Sequence, residues 1–206
     1  MFALIENGQF VKIVNSNKGI TIGDNQYPKS IYNLWSEDER NTIGIYEVSV
    51  DNTNKKDEAY YINTDISYSY ANGVVTASYG TATPKPLDDV LFTQADADAD
   101  LIPSDKAVGD VKQYGLKGLE IKKIKAQASG LLSPTDWHVV KATEVADYSV
   151  PTDVATYRAN VRAKSNEMET QINACSDVDA LKTLFTWTED AEGNITRPLA
   201  EFPEEL

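Results

Sequence analysis

Two Asn-Gly pairs, Asn7-Gly8 and Asn72-Gly73, each lie between runs of strand-forming residues. Asn and Gly both tolerate positive φ, which a tight hairpin turn demands, so this placement specifies antiparallel strand pairs. The first pair joins residues 2–5 to 10–14. The second joins a stretch ending in Ile66-Ser67-Tyr68-Ser69-Tyr70 to residues 74–79. A further turn, Gly23-Asp24-Asn25, separates Ile20-Thr21-Ile22 from Tyr27. Ser36 followed by Glu39 has the spacing of a capping box and predicts a short helix start. Residues 43–50 return to an extended pattern, and 51–58 read as a polar loop. Ile66, Tyr68 and Tyr70 alternate with polar residues and share one strand face. That face either packs on a core or meets another chain, since Tyr is favoured at interfaces.

The pattern changes after Pro84. Pro84, Pro86 and Pro103 bracket Asp88-Asp89 and Asp96-Ala97-Asp98-Ala99-Asp100, and the stretch reads as an acidic linker. An EF-hand loop would need Gly at its sixth position and Glu at its twelfth; Leu101 and Ala107 stand there. Beyond it the periodicity is helical. Residues 110–132 carry Ile121, Ile124, Ala128 and Leu131 at three- and four-residue steps. Gly115 and Gly118 each weaken the helix start by about 1 kcal/mol relative to Ala, so a firm helix is expected from Leu119, ending before Pro134. A second helix follows Pro151 and Asp153, both suited to a first turn. Its Val154, Val161, Met168 and Cys175 fall at intervals of seven, the seam of a coiled coil between chains or of a helical hairpin. Ser176 is a candidate cap for a third, short helix. The expected fold is α+β: a β-rich domain of antiparallel hairpins over 1–83, a linker over 84–107, a helical domain over 108–185 and an irregular tail over 186–206.

Several functions are argued against by what the chain lacks. Its 206 residues include one cysteine and one histidine, Cys175 and His138. No disulfide can form within the chain, and Cys- or His-rich metal centres are excluded. The formal net charge of −13 opposes nucleic-acid binding, which needs clustered cations to displace counterions. Gly115-Leu116-Lys117-Gly118 before a lysine-rich helix superficially matches a KH loop, but 107–114 does not read as the strand that module requires. Residues 1–10 have neither the basic start nor the apolar stretch of a signal peptide. No window approaches the roughly 20 apolar residues of a membrane span. There is no nucleophile elbow, P-loop or dinucleotide fingerprint. Cys175, on the apolar seam, reads as a small core residue. The expectation is therefore a non-enzyme with no catalytic residue, metal site or cofactor. Tyr157-Arg158-x-x-x-Arg162 sets two guanidinium groups one helical turn apart, either framing the seam or binding a partner's carboxylates.

Leu131-Leu132-Ser133-Pro134-Thr135-Asp136-Trp137, then a polar spacer with Pro151, then Tyr157-Arg158-Ala159-Asn160-Val161-Arg162 resembles the C-terminal region of bacteriophage tail-fibre assembly proteins and related tail proteins. Tyr27-Pro28, Trp35 with Ser36-Glu37-Asp38-Glu39-Arg40, and Ile43-Gly44-Ile45 are similar to the openings of other phage tail and virion proteins. The likeness is best over 121–172. Val161 and Ala163 depart from it, where Leu and an acidic residue are usual. The resemblance implies a virion component, tail- or fibre-associated, assembled in the host cytoplasm, or a chaperone that binds the fibre end. It implies other tail or fibre proteins as partners; the heptad seam adds an expectation of self-association, and charge and hydropathy add those of no nucleic acid and no membrane insertion. The candidate contact residues are Tyr157, Arg158, Arg162, Trp137, Tyr68 and Tyr70, with Val154, Val161, Met168 and Cys175 as an oligomer seam. Thr135 or Asp136 is expected to hold a tight turn after Pro134, and Trp137 to fill the space between two helices.

Overall fold

A computed structural model describes residues 1–206. The chain divides into two units, Met1–Thr83 and Pro84–Leu206.

In the first unit, β1 (Phe2–Glu6) and β2 (Gln9–Val14) form the hairpin that Asn7-Gly8 specifies, with both turn residues at positive φ. β3 (Ile20–Ile22) and β4 (Asn25–Tyr27) form the second hairpin. A one-turn helix, α1 (Ile31–Leu34), precedes α2 (Glu37–Thr42), whose capping box joins Ser36 and Glu39 as their spacing predicts. β5 (Ile45–Asp51) pairs antiparallel with β1. A short β6 (Tyr61–Ile62) pairs with β9 (Thr83–Pro84), where the unit ends. β7 (Ser67–Ala71) and β8 (Val74–Ser78) form the hairpin at Asn72-Gly73. β8 runs parallel to β5, which gives the order β2-β1-β5-β8-β7. The outer strands β2 and β7 approach each other, and Phe10 stacks on Tyr68 with ring centroids 4.8 Å apart. Both sheet faces are covered. Ala3, Ile5, Val48 and Val75 form one core, and Leu4, Ile45, Ile31 and Tyr32 form the other. Neighbours on β1 thus point to opposite cores, as the two-residue strand period requires.

The second unit begins with the segment expected to be a linker, and that expectation is corrected. β10 (Val90–Leu91) pairs with β11 (Val111–Gln113), and α3 (Gln94–Asp98) lies between them. The Asp-x-Asp-x-Asp run is part of this helix and its end. Asp96 closes a capping box with Thr93 and forms an ion pair with Lys112. The Lys112 ammonium first, and then the Thr93 hydrogen bonds, pull the Asp96 carboxyl down to about 2. A depressed folded value means the contribution is present above the ordinary Asp pKa of about 3.9 and is lost as pH falls toward 2. Carboxyl NMR titration is expected to place the Asp96 midpoint well below the ordinary aspartate value of about 3.9. A midpoint at the ordinary value would mean that the ion pair and cap are not held in solution.

α4 (Leu116–Leu132), with Gly115 at its N-cap, starts three residues before the expected Leu119. The Gly115 N–H donates to Asp89 Oδ1 at 2.7 Å. The N–H groups of Leu116 and Lys117 donate to the carbonyls of Pro86 and Leu87 at 2.9 and 3.0 Å. Lys117 Nζ meets Asp88 Oδ1 at 2.9 Å. A Cβ on Gly115 would lie 2.3 Å from the Asp88 carbonyl, and one on Gly118 would lie 2.1 Å from Asp89 Oδ1. The two glycines therefore admit the chain's own 86–89 segment: its Pro86 and Leu87 carbonyls satisfy orphan donors of the helix start, and the Asp89 carboxylate takes the Gly115 N–H. Although a short strand, β11, does precede this Gly-x-x-Gly stretch, a phosphate backbone would find its donors taken and an acidic segment in the way.

After a 3-10 turn (Ser133–Thr135) comes α5 (Asp136–Glu144), where a polar spacer was expected. α6 (Thr152–Ala174) packs along α4, and α7 (Val178–Phe185) follows, capped by Asp177 rather than Ser176. Val154, Val161 and Met168 are buried, with Val161 0% and Met168 1% exposed. Their seam is closed inside the unit, so these residues are not available to a second chain and the oligomer-seam expectation is corrected. Heptad spacing reports an apolar face; here α4 supplies its cover. Around Tyr157 and Val161 that cover is Ala128, Leu131, Leu132 and Phe202. The tail is ordered as well. β12 (Thr188–Glu189) pairs with β13 (Ile195–Thr196). The Gln171 amide then donates to the Pro198 carbonyl at 3.1 Å and accepts from the Ala200 N–H at 2.8 Å, and Leu199 is 1% exposed.

Candidate functional site

The two motifs behind the resemblance meet at one corner of the second unit. α4 ends at Leu132, and its last carbonyls have no intrahelical donor. α6 supplies them. The Tyr157 hydroxyl donates to the Leu131 carbonyl at 3.5 Å, and Arg158 Nη1 donates to the Leu132 carbonyl at 2.9 Å. A guanidinium at a helix C-terminus is also favoured by the helix dipole. Arg158 Nη1 further donates to Thr135 Oγ1 at 2.6 Å, and Nη2 meets Asp136 Oδ1 at 2.8 Å. Thr135 itself donates to the Leu132 carbonyl at 2.8 Å, the turn contact expected of it. Arg158 sits four residues after Val154 and three before Val161, hence on the buried face of α6, and is only 7% exposed. One buried side chain thus ties the end of α4, the 3-10 turn and the start of α5 together. Arg162 is exposed, and its Nη1 donates to the Arg158 carbonyl at 3.3 Å.

Trp137 does not fill the space between the helices. It is 53% exposed, which corrects the expectation. Arg158 occupies the inner corner and draws Asp136 toward it; the next residue points about 100° away around the helix. The Trp137 ring stacks on His138 with centroids 3.7 Å apart. His138 Nδ1 is hydrogen-bonded to the Tyr148 hydroxyl, and Lys141 Nζ lies 4.3 Å from the Tyr148 ring centroid. No side chain of α5 is buried. Trp137, Val139, Val140 and the following Val145 are all exposed. Trp137→Ala is therefore expected to change stability by less than about 1 kcal/mol, measured by thermal unfolding. A loss of about 3–5 kcal/mol would show that the ring is buried.

The other candidates lie elsewhere. Tyr68 and Tyr70 belong to the first unit and are half-buried against the core of Ala3, Ile5 and Val75. The Tyr70 and Tyr46 hydroxyls share a hydrogen bond at 3.0 Å, and this contact, with burial, pushes the Tyr46 pKa up. Cys175 is half-buried, and burial pushes its thiol pKa up, the opposite of an activated nucleophile. No three His, Cys, Asp or Glu side chains gather as metal ligands would, and no helix is long and apolar enough to cross a membrane.

Sequence reasoning missed α5 itself. Asp136 at its first turn and Lys141 in its last were the available signal; Pro134 and the short length obscured it. No family model, no curated protein and no solved structure matches this chain.

Proposed function

We propose that this protein is a structural component of a bacteriophage particle, tail- or fibre-associated, that acts through protein–protein contacts. The observation that supports this most directly is α5, an ordered helix with no buried side chain of its own. Arg158 holds its first turn through Asp136, and Trp137, Val139 and Val140 are exposed around the helix. Exposed apolar clusters with polar surroundings mark interaction surfaces, and Trp is prominent among the residues that dominate binding energy. Tyr157 and Arg158 position this surface, and Trp137 makes the contact. The net charge of −13 turns such contacts away from nucleic acid and toward neutral or basic protein surfaces. Self-association, where it occurs, runs through surfaces other than the buried seam. The resemblance of the Thr-Asp-Trp and Tyr-Arg motifs supplies the phage context, with assembly in the host cytoplasm and residence in the virion.

Quantitative mass spectrometry of purified particles tests the reading. A fixed, symmetry-compatible copy number is the expected result. Abundance in infected cells with absence from particles would replace it with the second reading, a tail-fibre assembly chaperone. The exposure of α5 in the single chain favours that alternative too, since a chaperone must display its binding surface before its client arrives.

A further inference from the structure

The β12–β13 hairpin has the register Thr188↔Thr196 and Glu189↔Ile195. Cross-strand partners share a face, so Glu189 and Ile195 lie together. Trp187 and Arg197 stand one step further along that face. The Arg197 guanidinium covers one side of the Trp187 ring, 4.6 Å from its centroid. The hairpin is anchored at both ends. At its base Gln171 holds Pro198 and Ala200, and Leu199 between them is 1% exposed. At its tip the Asp190 carboxylate accepts from the N–H groups of Glu192 and Asn194 at 3.0 and 2.8 Å.

On this fixed frame Trp187 is 50% and Ile195 66% exposed. With Arg197 they line one side of an open cleft of about 340 Å³, and Lys164, Glu167 and Gln171 of α6 line the other. Two neighbouring large apolar side chains held in water on one face mark a contact surface. The charge around them adds a second, independent observation. Residues 186–206 hold Glu189, Asp190, Glu192, Glu201, Glu204 and Glu205 against Arg197 alone, a net −5 of the chain's −13. The cations of the cleft are engaged within the chain. Lys164 Nζ meets Glu167 Oε2 at 2.8 Å, and Arg197 Nε lies 3.5 Å from Glu201 Oε1. The ion pairs of the second unit leave Glu189 and Glu192 without a cation.

We infer that this hairpin face docks a basic surface of another protein, with an apolar side chain of the partner against Trp187 and Ile195 and its Lys or Arg side chains paired to Glu189 and Glu192. The apolar pair supplies the contact area, and the unpaired carboxylates supply steering and choice of partner. Trp is also the best ring for a partner's cation. Phosphate-bearing surfaces, whether nucleic acid or anionic lipid, would meet like charge here. A second copy docking the same patch on itself would set the same carboxylates against each other. The hairpin is held by Gln171 before any partner arrives, so binding pays little for ordering it. None of the α5 residues takes part, and the inference stands independently of the contact surface there.

The test is amide NMR on the full chain with three blocked pentapeptides: Arg-Leu-Lys-Leu-Arg, and the same peptide with every cation replaced by Glu or by Gln. The basic peptide is expected to shift the amides of residues 187–197, with a dissociation constant near or below about 1 mM at low ionic strength. The Glu and Gln peptides should bind at least about tenfold more weakly. Trp187→Ala should weaken the basic peptide by about tenfold. Glu189→Gln with Glu192→Gln should also weaken it and flatten its salt dependence. Both carboxylates are exposed, so this variant stays informative if Trp187→Ala disturbs the hairpin. The inference is overturned if the basic peptide shifts none of these amides at about 10 mM, or if the Glu or Gln peptide binds as tightly. Equal shifts over the acidic residues 96–105 would overturn it too, since charge attraction alone would explain them. So would movement of the 187–197 amides on dilution of the chain alone, which would make a second copy the occupant.

Discussion

Replacing Val161 and Met168 together by Asp is expected to unfold residues 84–206 and to leave residues 1–83 folded. Both side chains are almost wholly buried, at 0% and 1% exposure. Each substitution removes about 1.5–3 kcal/mol of apolar burial. Each also places a carboxylate where nothing pairs with it, at a further cost of several kcal/mol. The sum reaches the whole stability of a typical domain, about 5–15 kcal/mol. Only the second unit is affected, because the first has its own cores around Val75 and Ile45. Circular dichroism should lose most of its helical signal, while the NMR resonances of residues 1–83 stay in place. Retained helix with a fall in particle mass would overturn this: the seam would then be an interface between chains. The double variant thus separates the two readings that heptad spacing alone leaves open.

The features legible in the sequence are the local ones. A hairpin turn is fixed by two residues and their φ values, so Asn7-Gly8 and Asn72-Gly73 specify their strand pairs without reference to the rest of the chain. The Ser36–Glu39 box is equally local. What was not legible depends on which distant segment fills a space. The spacing of Val154, Val161 and Met168 gives an apolar face but not its cover. Asp88 and Asp89 read as linker residues because their role is set by glycines more than twenty positions on. Trp137 reads as core because it is large and apolar. It is outside because Arg158, a residue type that usually stays at the surface, takes the inner position. The terminal residues look irregular because much of their order comes from distant elements: Gln171 holds Pro198 and Ala200, the Leu184 carbonyl accepts from Leu199, and Phe202 packs beside Tyr157 and Val161.

Arg158→Ala is expected to destabilise the second unit by about 2–4 kcal/mol. Removing one partner of a buried charged group usually costs about 3–5 kcal/mol, and the lower figure here has a physical reason. Asp136, with a side chain 59% exposed, regains water when the guanidinium leaves. The Leu132 carbonyl still accepts from the Thr135 hydroxyl. Arg158→Lys should lie between the variant and the parent, because an ammonium cannot span the carbonyl, the hydroxyl and the carboxylate as the planar fork does. Asp136→Asn should cost under about 1 kcal/mol, since an ion pair this exposed is screened by water. Urea unfolding of the three variants checks the order. If Asp136→Asn cost as much as Arg158→Ala, the ion pair would be what holds the corner, and capping of α4 would be secondary. If the expected order holds, Arg158→Ala loosens α5 without altering its surface. Partner capture should then fall in this variant even under conditions where the unit stays folded. Trp137→Ala should lose capture at full stability, which distinguishes the residue that positions the surface from the residue that makes the contact.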